Sequence, residues 1–338
     1  MKAILTGGLG FIGFNFYELY KNEVDFLVID KKSYASNPLA EKAIQNLKIM
    51  DVGDPEMETV VLEFQPDVIF HFAAESHVDR SILDPTLFLR SNVLGTTHLL
   101  EVVRKYQDNY PHRRVRFVNV STDEVYGSLG AEGQFRETTP LAPNSPYSSS
   151  KASADMFARA YHKTFGLDVV TTRCSNNYGP WQFPEKLIPL MIINAMEGKT
   201  LPVYGDGSNV RDWIFVDDHC RGVMEAGLRG KSGEVYNFGG LNEWQNLKIV
   251  EKLLDLIDRP KSLIRFVEDR KGHDFRYAMN CDKAIAELQW KPSVTFEEGL
   301  ETTVRWNLEN KDWLDFIRSD RYKEYYQTNY GTRMGAST

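Results

Sequence analysis

Ser121-Thr122-Asp123-Glu124-Val125-Tyr126-Gly127 places an alcohol and two carboxylates side by side. Further on, Pro146-Tyr147-Ser148-Ser149-Ser150-Lys151 sets a tyrosine four residues before a lysine. On a helix, residues four apart share one face. An ammonium beside a phenol lowers its pKa from about 10 toward neutrality, so Tyr147 and Lys151 predict a base for a substrate hydroxyl. Thr122 would share a hydrogen bond with that hydroxyl. Two adjacent carboxyl groups in different microenvironments titrate apart, one serving as base and the other as acid. Once a carbinol has become a ketone, the neighbouring C–H is acidic. One carboxylate would then remove that proton, and the other, protonated, would protonate a leaving hydroxyl. The structural alternatives are a solvated acidic turn or helix N-terminus for Asp123 and Glu124, and an ordinary exposed helix for Tyr147 and Lys151.

These groups need elements to position them. Val115-Arg116-Phe117-Val118-Asn119-Val120 reads as a short buried strand that delivers the Thr-Asp-Glu triplet to its carboxyl end, where open parallel sheets bind ligands. Asn144-Ser145-Pro146 opens a helix predicted to run to about Phe165, followed by a strand over Leu167–Arg173. Upstream, Lys2–Thr6 is an apolar strand, Gly7-Gly8-Leu9-Gly10-Phe11-Ile12-Gly13 a tight turn, and the residues to Tyr20 a helix. Asp25–Asp30 is a second strand, ending in an acid. That is the layout of a dinucleotide-binding βαβ unit: the glycines allow the turn and the helix N-terminus receives pyrophosphate. The spacing GxxGxxG (Gly7, Gly10, Gly13) is one variant of the fingerprint. Asp30, about 20 residues on, stands where a ribose 2′-hydroxyl binds and would repel a 2′-phosphate. NAD is therefore expected rather than NADP, and a nicotinamide would accept the hydride that leaves as Tyr147 takes the proton. Because the same cofactor would return that hydride to the dehydrated sugar, none is consumed.

Further strands are expected over Asn46–Asp51 and Pro66–Phe72, the first bringing Asp51 near the adenine. Ala73 and Ala74 leave room for a cofactor, and His77, Asp79 and Arg80 are either ligand contacts or loop polarity. Apolar spacing predicts a long helix from about Pro85 to Tyr106. Strands alternating with helices imply an α/β fold, a Rossmann-type doubly wound parallel sheet. After Asn176 the alternation loosens, and Pro180, Pro184, Pro189 and Pro202 predict short pieces. We expect an NAD-binding domain over 1–175, a smaller substrate-binding region over 176–327 with some chain returning to the sheet, and a loose tail over 328–338. Helices are predicted over Asn246–Ile257 and Phe296–Asn307. Arg211 and Lys186 are candidate phosphate partners. Asn176 and Asn177 offer amides to sugar or phosphate, and Tyr204 could stack on a base.

The chain has 338 residues and a net charge of −7, with both signs mixed along its length. No basic cluster suggests nucleic acid, and no apolar run is long enough to span a bilayer. Cys174, Cys220 and Cys281 are too scattered for a metal site and odd in number, which fits a reducing compartment. A strand at the very N-terminus leaves no signal peptide, so a cytoplasmic protein is expected. Cys174 is read as a small packed residue rather than a nucleophile.

At these motifs the sequence closely resembles the dTDP-glucose 4,6-dehydratase family of the extended short-chain dehydrogenase/reductase superfamily. The matching stretches are 6–13, His71–Ser81, 121–127, 146–151, Arg173–Pro180, Phe183–Pro189, Arg211-Asp212-Trp213 and Gly272–Tyr277. The Thr-Asp-Glu triplet is the specific part, since related epimerases and decarboxylases lack the paired acids. The resemblance spans about residues 1–307. It implies Tyr147 as base for C4 oxidation, Glu124 for the C5 proton, Asp123 as the acid expelling the C6 hydroxyl, and Thr122 as the group positioning the sugar. It further implies NAD held by Gly7, Gly10, Phe11, Ile12, Gly13, Asp30, Lys31, Asp51, Val52, Phe72, Ala73, Ala74, Ser76, Asn92, Tyr147, Lys151 and Asn177. The nucleotide sugar would lie along Ser76, Thr122, Asn176, Lys186, Leu187, Pro202, Tyr204, Arg211 and Asn246, with Asp269 and His273 closing the site. A homodimer joined through helices near 85–106 and 146–165 is implied as well, and a 4-keto-6-deoxyglucose nucleotide as product, a precursor of rhamnose and other deoxysugars.

The chain departs from the family at Lys31-Lys32-Ser33-Tyr34-Ala35-Ser36-Asn37 and at Lys271, where proline is usual. The latter leaves dTDP and UDP open as the nucleotide. Two other readings stand beside this one. A UDP-sugar 4-epimerase or decarboxylase would not need Asp123 or Glu124, and a silent NAD-binding regulator would not need Tyr147 or Lys151.

Overall fold

The computed structural model describes residues 1–269 and 272–317. The tail from 328 and Lys271 lie outside the described residues. Strands β1 (Lys2–Thr6), β2 (Asp25–Asp30), β3 (Leu47–Ile49), β4 (Val68–His71), β5 (Arg116–Thr122) and β6 (Val169–Cys174) come first in the chain. They are followed by β7 (Asn176–Tyr178), β8 (Leu201–Tyr204), β9 (Val210–Phe215), β10 (Val235–Phe238), β11 (Glu243–Gln245) and β12 (Ile264–Val267). Seven of these form one parallel sheet in the order β3-β2-β1-β4-β5-β6-β10. This is the doubly wound order, which reverses between β1 and β4 and opens a crevice there.

Both faces of the sheet are covered, so its strands read as continuous apolar runs. Alternate residues face opposite ways. Ala3 and Leu5 pack under Phe14, Phe16 and the helix Val216–Arg229, while Ile4 packs under Val60, Leu99 and Val103 on the other side. A third apolar cluster joins the helices Leu187–Met196, Asn246–Ile257 and Phe296–Glu309 to β8 and β9. It builds the smaller region beside the sheet. Later chain returns to the sheet: β10 pairs with β6, and the helix Val216–Arg229 packs on the sheet.

Prolines do not fragment the second half as their number predicts. Pro189 is the third residue of the helix Leu187–Met196. In the first turn a backbone N–H has no intrahelical acceptor, so its loss costs nothing. The helix Pro146–Phe165 starts and stops where its sequence says. Ser145 and Ser148 cap each other's backbone N–H groups at 3.0 Å each, Pro146 fills the first position, and Gly166 at φ +69° ends it. The long helix predicted from Pro85 is present, but in three parts. An α-turn (Pro85–Phe88) capped by Asp84 leads into a π-helical stretch (Leu89–Gly95) and then an α-helix (Thr96–Asn109).

Candidate active site

The turn after β1 and the end of β4 touch at the switch point. A Cβ on Gly7, which sits at φ +76°, would lie 2.6 Å from the Ala73 nitrogen. A Cβ on Gly13 would lie 2.3 Å from the Gly7 carbonyl oxygen. Glycine is therefore required at both positions, and the helix Phe11–Tyr20 starts against the cleft. Asp30 ends β2 with both carboxylate oxygens engaged: Oδ2 accepts the Leu9 N–H at 3.0 Å and Oδ1 the Lys32 N–H at 2.8 Å. Burial raises its pKa, and those two backbone donors and Lys31 oppose the shift.

From here one cleft of about 400 Å³ runs along the carboxyl ends of the strands and into the smaller region. The predicted residues line it with two exceptions, Asn92 and Asp269. Asn92 lies behind the wall in the π-helical stretch. Its Oδ1 accepts the Glu75 N–H at 2.8 Å, and its Nδ2 donates to the Glu75 carbonyl at 2.9 Å and to Ser150 Oγ at 2.8 Å. It ties the loop after β4 to the Tyr147 helix. Asp269 stands outside the wall and meets His273 Nδ1 at 2.6 Å. Of the three polar residues after Ser76, His77 lines the cleft, Asp79 accepts from the Tyr204 hydroxyl at 3.3 Å, and Arg80 stacks 3.9 Å from the Tyr34 ring.

Ser33, Ser36, Glu75, Glu185 and Tyr277 also line the cleft. Glu75 pairs with Lys31 at 3.1 Å, and Glu185 accepts from the Tyr34 hydroxyl. Glu75, Glu185 and Tyr277 fall within stretches singled out in the sequence, but only the meeting of distant loops gives them a place in the site.

Strand β5 ends two residues beyond its apolar pattern, so Thr122 is its last residue and Asp123–Tyr126 forms a 3₁₀ turn. Thr122 Oγ1 donates to Asp123 Oδ1 at 3.2 Å and accepts the Glu124 N–H at 3.3 Å. Asp123 is 2% exposed, and its Oδ2 is buried with no partner among the described residues. Burial, then the adjacent Glu124 and Asp212, push its pKa well up, against Arg211 and Thr122. The two neighbouring carboxyl groups thus sit in different surroundings: Asp123 is buried with its pKa raised, while Glu124 is only partly buried.

Tyr147, Lys151 and Asp155 follow at intervals of four along one buried stripe of the helix Pro146–Phe165. Lys151 Nζ donates to the Val120 carbonyl at 2.8 Å. Burial lowers its pKa and the Asp155 carboxylate opposes this. Contrary to the sequence expectation, the protein alone does not bring the Tyr147 phenol down. Burial, Glu124 and Cys174 raise it, and only the Thr122 hydroxyl works the other way. Lys151 is turned to Val120 instead. Cys174 is a packed residue, its thiol pushed up to about 12 by burial and Asp123.

At the far end, the buried Arg211 guanidinium is fixed by carbonyls of Val210 (2.8 Å), Asp274 (2.8 Å) and Phe275 (3.2 Å) and lies 4.2 Å from the Tyr277 ring. Lys186 Nζ reaches the Ser76 carbonyl at 2.7 Å. Asn177 is occupied, its Oδ1 2.9 Å from His219 Nδ1 and its Nδ2 donating to the Ser175 carbonyl at 3.0 Å. The Oδ1 atoms of Asn176 and Asn246 are buried with no partner among the described residues.

The GDP-mannose 4,6 dehydratase family model matches residues 4–303. The chain is 48% identical to the dTDP-glucose 4,6-dehydratase of Xanthomonas campestris, covering 95% of this chain and 97% of that one. The crystal structure of dTDP-glucose 4,6-dehydratase from Bacillus anthracis in complex with NAD superposes with a TM-score of 0.86 at 48% identity, over 94% of this chain and 100% of that one. The UDP-glucose 4-epimerase of Thermotoga maritima, crystallised with UDP-glucose, gives a TM-score of 0.85 over 92% of this chain and 100% of its own, but at 28% identity.

Proposed function

This chain belongs to the dTDP-glucose 4,6-dehydratase family, and we propose how its residues divide that reaction. The enzyme converts dTDP-glucose to dTDP-4-keto-6-deoxyglucose by C4 oxidation, loss of water across C5–C6 and reduction at C6. It is an NAD-dependent hydro-lyase that supplies deoxysugar synthesis of the rhamnose type.

The cofactor fits the residues present: Gly7 and Gly13 leave space that any side chain would fill, and the Asp30 carboxylate, an acceptor of several hydrogen bonds, stands at the end of β2 on the cleft wall. We assign it to the wall formed by Gly7, Gly10, Phe11, Ile12, Gly13, Asp30, Lys31, Asp51, Val52, Phe72, Ala73, Ala74 and Ser76. When bound, NAD supplies the hydride acceptor for C4 and the donor for C6. Tyr147 takes the proton of the C4 hydroxyl, which Thr122 orients. Because burial disfavours a phenolate, the Lys151 ammonium four residues along the same stripe is needed as the nearby positive charge. Glu124 removes the C5 proton, and Asp123 delivers its proton to the departing C6 hydroxyl, which leaves as water. Arg211 and Lys186 hold the diphosphate, while Tyr204, Asn246, Leu187, Pro202 and His273 flank the nucleoside. Asn92 and Asp269 act from behind the wall.

The observation that carries this division is the buried Asp123 Oδ2, without a partner among the described residues, beside the more accessible Glu124. The test is turnover of dTDP-glucose in deuterated water. Water loss with one deuterium at C5 is expected, and an unchanged mass with inversion at C4 would replace the reading by epimerisation. Glu124→Gln should oxidise C4 without eliminating, and full turnover by that variant would remove Glu124 from its role.

A homodimer is supported by exposed apolar residues on the expected helices: Leu89 and Leu94, 53% and 59% exposed, with Met156 and Phe157 at 46% and 40%. Light scattering at the mass of one chain would exclude it. Three buried free thiols support a reducing cytoplasm, which cell fractionation checks. Among the described residues, no helix is long and apolar enough to cross a membrane.

A further inference from the structure

We infer that Arg173 and Tyr126 are positioning residues that bolt the Asp123/Glu124 turn to the Tyr147/Lys151 helix, and so set the elimination step without touching substrate. The inference rests on the division of roles proposed above.

Arg173 lies on β6 opposite Ser121 of β5, its side chain buried between the two catalytic elements. Its Nε donates to Asp155 Oδ2 at 2.9 Å. Its Nη1 donates to the Tyr126 hydroxyl at 2.9 Å, and the guanidinium lies 4.8 Å from the Tyr126 ring centre. Asp155 is the third member of the stripe that carries Tyr147 and Lys151, and its Oδ1 accepts from Asn119 Nδ2 at 2.9 Å. Tyr126 is the last residue of the 3₁₀ turn that begins with Asp123. Its hydroxyl donates to Asn237 Oδ1 at 2.8 Å, and its ring stacks on Phe135 at 5.0 Å. One guanidinium therefore spans from the helix of the oxidising pair to the turn of the two acids.

Asn119, Tyr126, Asp155 and Arg173 do not line the cleft. They cannot act on the sugar directly. A buried ion pair is also weak evidence for stability, since desolvating both charges offsets much of their attraction. What this one does supply is a rigid two-point link. Reacting groups misplaced by an ångström lose rate on the order of a hundredfold. The link is asymmetric as well: Lys151 has its own anchor at the Val120 carbonyl, and the Asp155 side survives when the Tyr126 side is cut. Loosening Tyr126 should therefore disturb Asp123 and Glu124 more than Tyr147.

The test is Tyr126→Phe, which keeps the ring on Phe135 and removes only the hydroxyl, compared with the parent holoenzyme by rapid quench and mass spectrometry on dTDP-glucose. Conversion of parent substrate to the dehydrated sugar checks the underlying reading separately. In the variant, C4 oxidation should keep its rate within about twofold, elimination should slow by roughly 10–100-fold, and the undehydrated 4-keto sugar should accumulate. Equal slowing of both steps, or no accumulation in a variant with NAD bound and a native near-ultraviolet spectrum, would overturn the inference. Arg173→Lys is the second variant. It keeps the charge at Asp155 but lacks the planar fork that reaches both partners, and the same accumulation is expected from it.

Discussion

The Thr122 hydroxyl donates to Asp123 Oδ1 across 3.2 Å and leaves Oδ2 buried with no partner among the described residues. A carboxyl in that position is worth most to the protein when protonated, and two consequences of opposite sign follow.

Asp123→Asn removes the proposed proton donor. A general acid contributes on the order of 10²–10⁴ in rate, so kcat should fall by about that factor. The alkaline limb that Asp123 imposes on the parent's kcat profile, as pH rises through its raised pKa, should vanish. Stability should move the other way. An acid whose folded pKa lies above its unfolded one costs stability as pH rises past the unfolded value through the folded one. The variant should therefore melt a little higher at pH 8, by about 2 °C, and match the parent near pH 4. Thermal melts at the two pH values, beside steady-state kinetics, check both halves. A variant less stable at pH 8 would contradict the burial argument.

Arg211→Lys should raise KM for dTDP-glucose by roughly 10–100-fold while kcat stays within about threefold. The guanidinium is pre-set by three main-chain carbonyls, and an ammonium cannot keep them while gripping a diphosphate. Initial-rate kinetics separate the two constants, and a loss confined to kcat would remove Arg211 from substrate binding.

Asp30→Ser should lose NAD by roughly 10–100-fold in affinity without gaining NADP. The carboxylate organises its own loop through the Leu9 and Lys32 N–H groups, the latter on a residue at φ +61°. Removing it frees the turn as well as the proposed ribose contact. Chromatographic measurement of cofactor retained after gel filtration gives the answer; efficient NADP binding would mean that charge repulsion alone had set the preference.

Cys174 stands on the cleft wall, yet its thiol is pushed up to about 12 and is buried. Iodoacetamide at pH 8 should leave it unmodified in the native enzyme and label it after denaturation, as read by peptide mass spectrometry. Rapid native labelling would show that the wall opens.

The frame of this molecule was legible because local signals agreed. The strands are short apolar runs, and the helix of Tyr147 carries a capping serine at one end and Gly166 at the other. The candidate site was legible because Thr122, Asp123 and Glu124 are contiguous and Tyr147 and Lys151 share a stripe, and all five line one cleft. Three things needed the fold. The helix Leu187–Met196 was hidden by Pro189, whose meaning depends on where the first turn falls. Glu185 enters the site only because its loop meets Tyr34 from a loop 151 positions away in sequence. Asn92, expected at the cofactor, lies in the π-helical stretch with its side chain turned inward to Glu75 and Ser150.

The acids ride on a four-residue turn, whereas Tyr147 and Lys151 ride on a twenty-residue helix. On the proposed roles, hydroxyl oxidation is built into deep architecture, and what happens to the ketone afterwards is written in a patch short enough to rewrite by a few codons. A superposable epimerase at 28% identity is what such a layout permits. Descendants could exchange the second act of the reaction while inheriting the first unchanged.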